Sequence, residues 1–387
     1  MIDRFHAIWR VILANSLLLA VGTVSGLIWA NVAHPSYQRF ADTLHFAVND
    51  VGMVFFFALA VKEIVEAMLP GGPLESPREA AVPIIAAAGG MIGPAGLYVL
   101  QATILGRPEL MPGWAIPCAT DIAFSYLAAR FVFPKNHPAI PFLLLLAIAD
   151  DALGLIVLAV FYPAGPVSLA SFIMLMTPAV AATVWLRRRG TTNFWPYLVI
   201  GGGLSWAAMF LGGLHPALAM VPILPFMPHE KRDLGLFDPR EHELPDTMNR
   251  FERAWRLPVQ FILFFFGLVN AGVTLSSVGS GSWIVFLSLL FGKPIGIVGT
   301  TFLSVKLGLR TPGGLSYRHA IVMGVAAGIG FTVALFFATS AFRPGPILDQ
   351  AKMGALLSFF AAPIAIILGR LVGLRPDRET RNQSPNS

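Results

Sequence analysis

Apolar stretches of about 20 residues, each able to cross a hydrocarbon core roughly 30 Å thick, recur along the whole chain between short polar turns. The pattern predicts twelve spans, at about 9–32, 46–68, 80–104, 111–133, 138–162, 166–186, 193–213, 214–228, 254–273, 283–305, 318–342 and 351–373. The expected fold is an all-α integral membrane protein, one polytopic domain over 1–373 followed by a polar, disordered tail over 374–387. The first stretch exceeds the h-region of a cleaved signal peptide and reads as an uncleaved span. The longest polar stretch, His229 to Arg256, mixes both charge signs and reads as a solvated loop with a short helix.

Composition agrees with this pattern. Of 387 residues, 56% are apolar and 12% charged, with a mean hydropathy of +0.70, whereas a soluble domain carries about 25% charged residues. A pI near 9.7 would suggest nucleic acid in a soluble protein, but here the basic residues follow topology. With a cytoplasmic N-terminus, 21 of the 27 Lys and Arg fall in cytoplasmic segments; Arg39, Arg107, Arg343 and Lys352 fall outside, and Lys62 and Lys293 lie within spans. That asymmetry orients the chain with both termini in the cytoplasm, and Arg187-Arg188-Arg189 is a topology anchor. Lipid, not nucleic acid, is the expected surroundings. Cys118 is the single cysteine, so no intramolecular disulfide forms and packing beside a helix break is its expected role.

Spans three to five begin near 80, 111 and 138, and spans ten to twelve near 283, 318 and 351, giving separations of 203, 207 and 213 residues. An odd number of crossings between the two triplets makes the copies an inverted repeat. The middle member of each carries a helix breaker: Pro117, Thr120 and Asp121 in span four, and Gly328-Ile329-Gly330-Phe331-Thr332 in span eleven. Proline removes a backbone donor and paired glycines lower helix propensity. Unwound backbone at membrane depth is tolerated where it lines a cavity or is buried in protein, and interruptions at matching places of two halves point to a transport site.

The charges inside the spans are the costliest residues. Asp150 and Asp151 stand side by side in an apolar run from Pro138 to Tyr162, and each carboxylate at such depth costs roughly 2.5–3.5 kcal/mol, which makes it a candidate functional group. Asp121 and Lys293 lie at similar depth. Buried charges persist by pairing, and the expected pair is Lys293 with Asp150. The remaining acid, Asp151, is then free to take a proton, since desolvation favours the neutral form of an unpaired carboxylate, or a hard cation such as Na⁺. Thr120 and the carbonyls of the broken helix would supply further oxygen ligands. A carboxylate that holds a proton or a cation, but not both, is sufficient for obligatory exchange.

The stretches Gly113-Trp114-Ala115-Ile116-Pro117-Cys118-Ala119-Thr120-Asp121-Ile122-Ala123-Phe124 and Leu146-Ala147-Ile148-Ala149-Asp150-Asp151 resemble signatures of the NhaA family of bacterial Na⁺/H⁺ antiporters. Asn49-Asp50, Ala86-Ala87-Ala88-Gly89-Gly90-Met91-Ile92, Asn270-Ala271-Gly272-Val273, Gly292-Lys293-Pro294 and Gly328-Ile329-Gly330-Phe331-Thr332 match further, in the family's order. Inverted repeats are already known in this family. The resemblance implies an electrogenic exchanger in the bacterial inner membrane, moving two protons per Na⁺ or Li⁺ for sodium and pH homeostasis, with no cofactor. It implies Asp151 as the main ion and proton carrier, Asp150 and Lys293 as an alternating pair, and Thr120 and Asp121 as the balance for crossed half-helix ends. Asp50 and His215 match family positions of regulatory or funnel type, and local structure is the simpler role for His215.

Two departures stand out. Where the family reads Gly-Leu-Glu-Val-Lys-Arg-Glu in the second span, this chain reads Ala60-Val61-Lys62-Glu63-Ile64-Val65-Glu66. Glu66 keeps register, while Lys62 replaces the first acid of the cytoplasmic funnel and Glu63 follows it. The loop between spans one and two, about 33–45, is too short for the β-hairpin through which some members dimerise, so monomer and homodimer both stay open. A symporter of a small organic anion is the nearest alternative, with Lys293 as its one central cation. An intramembrane aspartyl protease would present acids from separate helices with a Gly-x-Gly-Asp signature, and here Phe331 follows Gly-x-Gly. No cluster with metal-ligand spacing lies within the spans.

Overall fold

The computed structural model describes residues 17–72, 74–75, 77–134, 137–229, 246–309 and 315–374. Every regular element among them is helical. In chain order these are α1 (Leu17–Val32), α2 (His34–Ala67), α3 (Pro77–Ile104), the 3₁₀ half-helix Pro108–Cys118 with α4 (Ile122–Val132), α5 (Ala139–Phe161), α6 (Leu169–Arg188) and α7 (Phe194–Gly212). Then follow α8 (Thr247–Asn270), α9 (Ser280–Lys306), α10 (Tyr317–Ala327), α11 (Phe331–Ala341) and α12 (Pro346–Leu371). Seven helices are long and apolar enough to cross a membrane, and two bent pairs raise the number to nine among the described residues.

Three expectations need correction. The connection at 33–45 is not a loop: Pro35 sits in a first helical turn, where its missing N–H costs nothing, and no Gly or Pro follows until Gly52. The helix therefore runs on through a π-helical turn, Ala47–Gly52, into the second span. The span expected at 214–228 is not an α-helix, because Pro216, Pro222, Pro225 and Pro228 remove one donor after another; only the 3₁₀ turns Pro216–Leu218 and Leu224–Phe226 form. It nevertheless runs from one end of α6 to the other. Gly213 O accepts from Gly165 N near the start of α6 (3.2 Å), while Pro228 O accepts from Met248 N (3.2 Å) beside the Thr247–Thr192 contact past its end. Non-helical backbone is tolerated at that depth because it is buried in protein, with Ala217, Leu218, Ala219, Met220 and Leu224 all inaccessible.

The polar stretch at 229–256 is likewise only partly loop. Asp246 caps α8 by accepting from Asn249 N (2.8 Å), and Thr247, Met248, Asn249 and Phe251 are buried, so the helix begins well before the expected 254. Residues 230–245, 9–16 of the first span and 375–387 of the tail lie outside the described residues.

Small residues set the closest approaches. A Cβ on Gly296 of α9 would lie 1.9 Å from Gly89 O of α3, and one on Gly93 would lie 2.3 Å from Gly292 O. These two facing Gly-x₃-Gly pairs come from the first members of the two triplets, and backbone contact of this kind is how apolar helices associate without a hydrophobic driving force between them. Both expected interruptions occur. The chain bends by 60° between Pro108–Cys118 and α4, and by 54° between α10 and α11.

Candidate functional site

The two interruptions meet. Asp121 N donates to Ile329 O across 2.7 Å, and Phe124 and Phe331 pack edge to face. Four half-helix ends, two with orphan N–H groups and two with orphan carbonyls, thereby converge, and each end carries about half an elementary charge.

The side chains answer those ends by sign. Asp121 is the N-cap of α4: Oδ1 accepts from Phe124 N (3.3 Å), while Oδ2 accepts from Thr332 N (3.2 Å) and the Thr332 hydroxyl at the start of α11. One buried carboxylate thus serves both N-termini. At the opposite ends, Lys293 Nζ donates to Cys118 O (2.5 Å), and the Thr120 hydroxyl lies 3.1 Å from Ala327 O.

Lys293 also donates to Thr120 Oγ1 (2.7 Å) and to Asp150 Oδ2, and Thr120 Oγ1 lies 2.7 Å from that same carboxylate oxygen. An ammonium has three protons, and all three are used. The Lys293 and Asp150 side chains are both fully buried; the pair's attraction and the hydrogen bonds at Asp150 Oδ2 offset the desolvation. Sequence also shapes the approach. Pro294 cannot donate to the ladder, and the turn before it, Ser288–Gly292, is π-helical.

Asp151 is different in kind. It makes no hydrogen bond or ion pair among the described residues, is partly exposed, and lines two cavities. The smaller, about 10 Å³, is also lined by Asp150, Phe336 and Phe337. The larger, about 200 Å³, is lined by Glu63, Thr120, Asp121, Gln260 and Thr332 among others. A lysine with all three protons engaged thus stands beside the acid pair, while Asp151 opens to a largely apolar cavity that Glu63, Asp121 and Gln260 also line.

The remaining sequence candidates lie around this centre. Lys62 is buried between Glu66 (2.5 Å) and Glu252 of α8 (2.7 Å), while Glu63, one residue on, faces the large cavity. Asp50 lies in the π-helical turn of α2, where its carbonyl accepts from Trp206 Nε1 (2.8 Å). His215 caps the turn Pro216–Leu218 and its ring rests on Phe336 of α11. Neither Asp50 nor His215 lines the two Asp151 cavities. Glu252 and Gln260 went unsingled in the sequence. Glu252 fell in the stretch read as a loop, whereas Gln260, a lone amide in an apolar run, carried a usable signal.

Apolar helices enclosing two crossed, interrupted spans, with charges at the crossing, define a membrane transporter of the broken-helix class. The family model described as "Na+/H+ antiporter 1" matches residues 6–371. The Na⁺/H⁺ antiporter NhaA of Geotalea uraniireducens is 46% identical over 371 residues, covering 93% of this chain and 95% of that protein. Antiporters of the same name from Desulfitobacterium hafniense and Jannaschia sp. are each 43% identical, over 95% of this chain and 96% and 98% of their own lengths. The chain belongs to the NhaA family of Na⁺/H⁺ antiporters.

Proposed function

We propose that this protein is a secondary transporter, not an enzyme, that exchanges protons for Na⁺ across the bacterial inner membrane, and that Asp151 is the group for which the two ions compete. The observation that carries this reading is the contrast between the adjacent acids: Asp150 is tied to Lys293, and Asp151 has no side-chain partner among the described residues and faces open cavity. A proton or a hard cation satisfies such a carboxylate, and either displaces the other. Thr120 and nearby carbonyl oxygens add ligands for Na⁺ or Li⁺, and the Asp150–Lys293 pair exchanges partners as access alternates. Asp121 holds the crossing together.

The same reading gives twelve crossings, counting the non-helical 214–228 as one, with both termini cytoplasmic by the basic-residue asymmetry. It assigns two protons per Na⁺, which makes the exchange electrogenic. Organic-anion symport finds no support, because all three Lys293 protons are taken within the protein. The direct test is the purified protein in acid-loaded proteoliposomes. Proton release on adding external Na⁺ or Li⁺ is expected; no cation-dependent proton flux between about pH 6.5 and 9 would overturn it.

A further inference from the structure

The half-helix Pro108–Cys118 is two 3₁₀ pieces, Pro108–Gly113 and Ile116–Cys118, with a joint at Trp114 and Ala115. A 3₁₀ ladder carried through that joint would have Ala115 N donate to Pro112 O. Instead the Tyr162 hydroxyl stands between them: it donates to Pro112 O (2.7 Å) and accepts from Ala115 N (3.3 Å). A hydroxyl has one proton and free lone pairs, so it replaces a backbone bond on both sides at once, opening the ladder without leaving orphans. The ring is fixed as well. It is buried and packs edge to face on Phe337 of α11, with ring centres 5.5 Å apart. From the joint, hydrogen bonds run on to the ion site: Ala115 O accepts from Cys118 N (3.0 Å), and Cys118 O accepts from Lys293 Nζ (2.5 Å). Lys293 holds Asp150 of α5, and Tyr162 caps the C-terminus of that same helix. Helix α5 therefore meets span four at two places about 18 Å apart along its axis, once at Asp150 through Thr120 and once at Tyr162.

We propose that Tyr162 is a positioning residue for the exchange: its hydroxyl sets the joint in the half-helix and, through Ala115 and Cys118, keeps Lys293 where it serves Asp150 and leaves Asp151 to the ions. Hydrogen bonds in series reinforce one another in a buried setting, so a change at one end of this chain is felt at the other. The role deepens the exchange reading and rests on it. The Na⁺ ligands at Asp151 are untouched by the hydroxyl, whereas the exchange of partners by Lys293 depends on it, so rate rather than affinity is what it controls. Tyr98 of α3 gives the contrast. Its buried hydroxyl straps the same half-helix at Leu110 O (2.8 Å), ahead of the joint and away from Cys118.

The test compares full-length Tyr162→Phe and Tyr98→Phe with wild type by Na⁺-dependent proton flux in proteoliposomes, by melting temperature, and by backbone amide hydrogen exchange in detergent. Tyr162→Phe keeps the ring and removes the hydroxyl. It is expected to lower the maximum rate about tenfold at an apparent KM for Na⁺ within about twofold of wild type. The Ala115 and Cys118 amides should exchange about fivefold faster, with the melting temperature within about 4 °C. Tyr98→Phe should leave the maximum rate per folded protein and both amides within about twofold of wild type. A Tyr162→Phe protein with the wild-type maximum rate would overturn the role, as would a rate loss that only follows a loss of folded protein, or an equal rate loss in Tyr98→Phe. Wild-type protein without cation-dependent proton flux would overturn the exchange reading instead. Unchanged Ala115 and Cys118 amides in Tyr162→Phe would overturn the joint whatever the flux.

Discussion

Asp150 and Asp151 are one residue apart and differ in their partners. The first shares an oxygen with Lys293 and Thr120; the second touches water-sized space. That they stand out as candidates was legible in the sequence because charge inside an apolar run is expensive, and Asp121 and Lys293, which the fold brings to the same crossing, were legible for the same reason. What each acid does was not, since a helix only fixes an angle between neighbours, and partners come from distant elements. Removing one member of a buried pair strands the other. Lys293→Ala should lower stability in detergent by about 3–5 kcal/mol, and Asp150→Ala combined with it should recover part of that loss. A single variant as stable as wild type would contradict the pairing as a structural load.

At the scale of elements, the breaks in the two middle spans were readable because Pro117 and Gly328-Ile329-Gly330 disrupt the backbone by themselves. The helix over 33–45 and the 3₁₀ crossing at 214–228 were not, because hydropathy does not distinguish an amphipathic helix from a polar turn, or a proline-laden crossing from a helix of the same apolarity. The joint between the two triplets has its own signature. His137, just before α5, and His319, in the first turn of α10, pack edge to face with ring centres 4.6 Å apart. Burial first, and the His319 ring second, hold His137 below the ordinary histidine value of 6.5. The unfolded chain then binds more protons than the folded one below that value, so this histidine's contribution to stability is present above pH 6.5 and is lost as pH falls below it. His137→Gln should flatten the fall in melting temperature between about pH 7 and 5, and an unchanged slope would remove the histidine pair from the acid sensitivity of the fold.

For the whole molecule, the two triplets place their middle members across each other, so that a single crossing gathers all four half-helix ends, Asp121, Lys293 and the acid pair. The matching breaks in the two triplets were legible in the sequence, whereas the facing Gly-x₃-Gly contacts between α3 and α9 required the fold. An exchanger moving two protons per Na⁺ carries net charge, so its driving force includes the membrane potential, about 2.3 kcal/mol per elementary charge per 100 mV. Clamping the potential at zero with K⁺ and valinomycin should raise the initial rate of exchange, and an unchanged rate and final gradient would contradict the two-for-one assignment. The central claim, that one carboxylate holds either ion, is tested most directly by adding Na⁺ to weakly buffered, detergent-purified protein and measuring the protons released. The account predicts stoichiometric release from wild type and a clear loss of it from Asp151→Asn at unchanged folding; equal release from both proteins would contradict it.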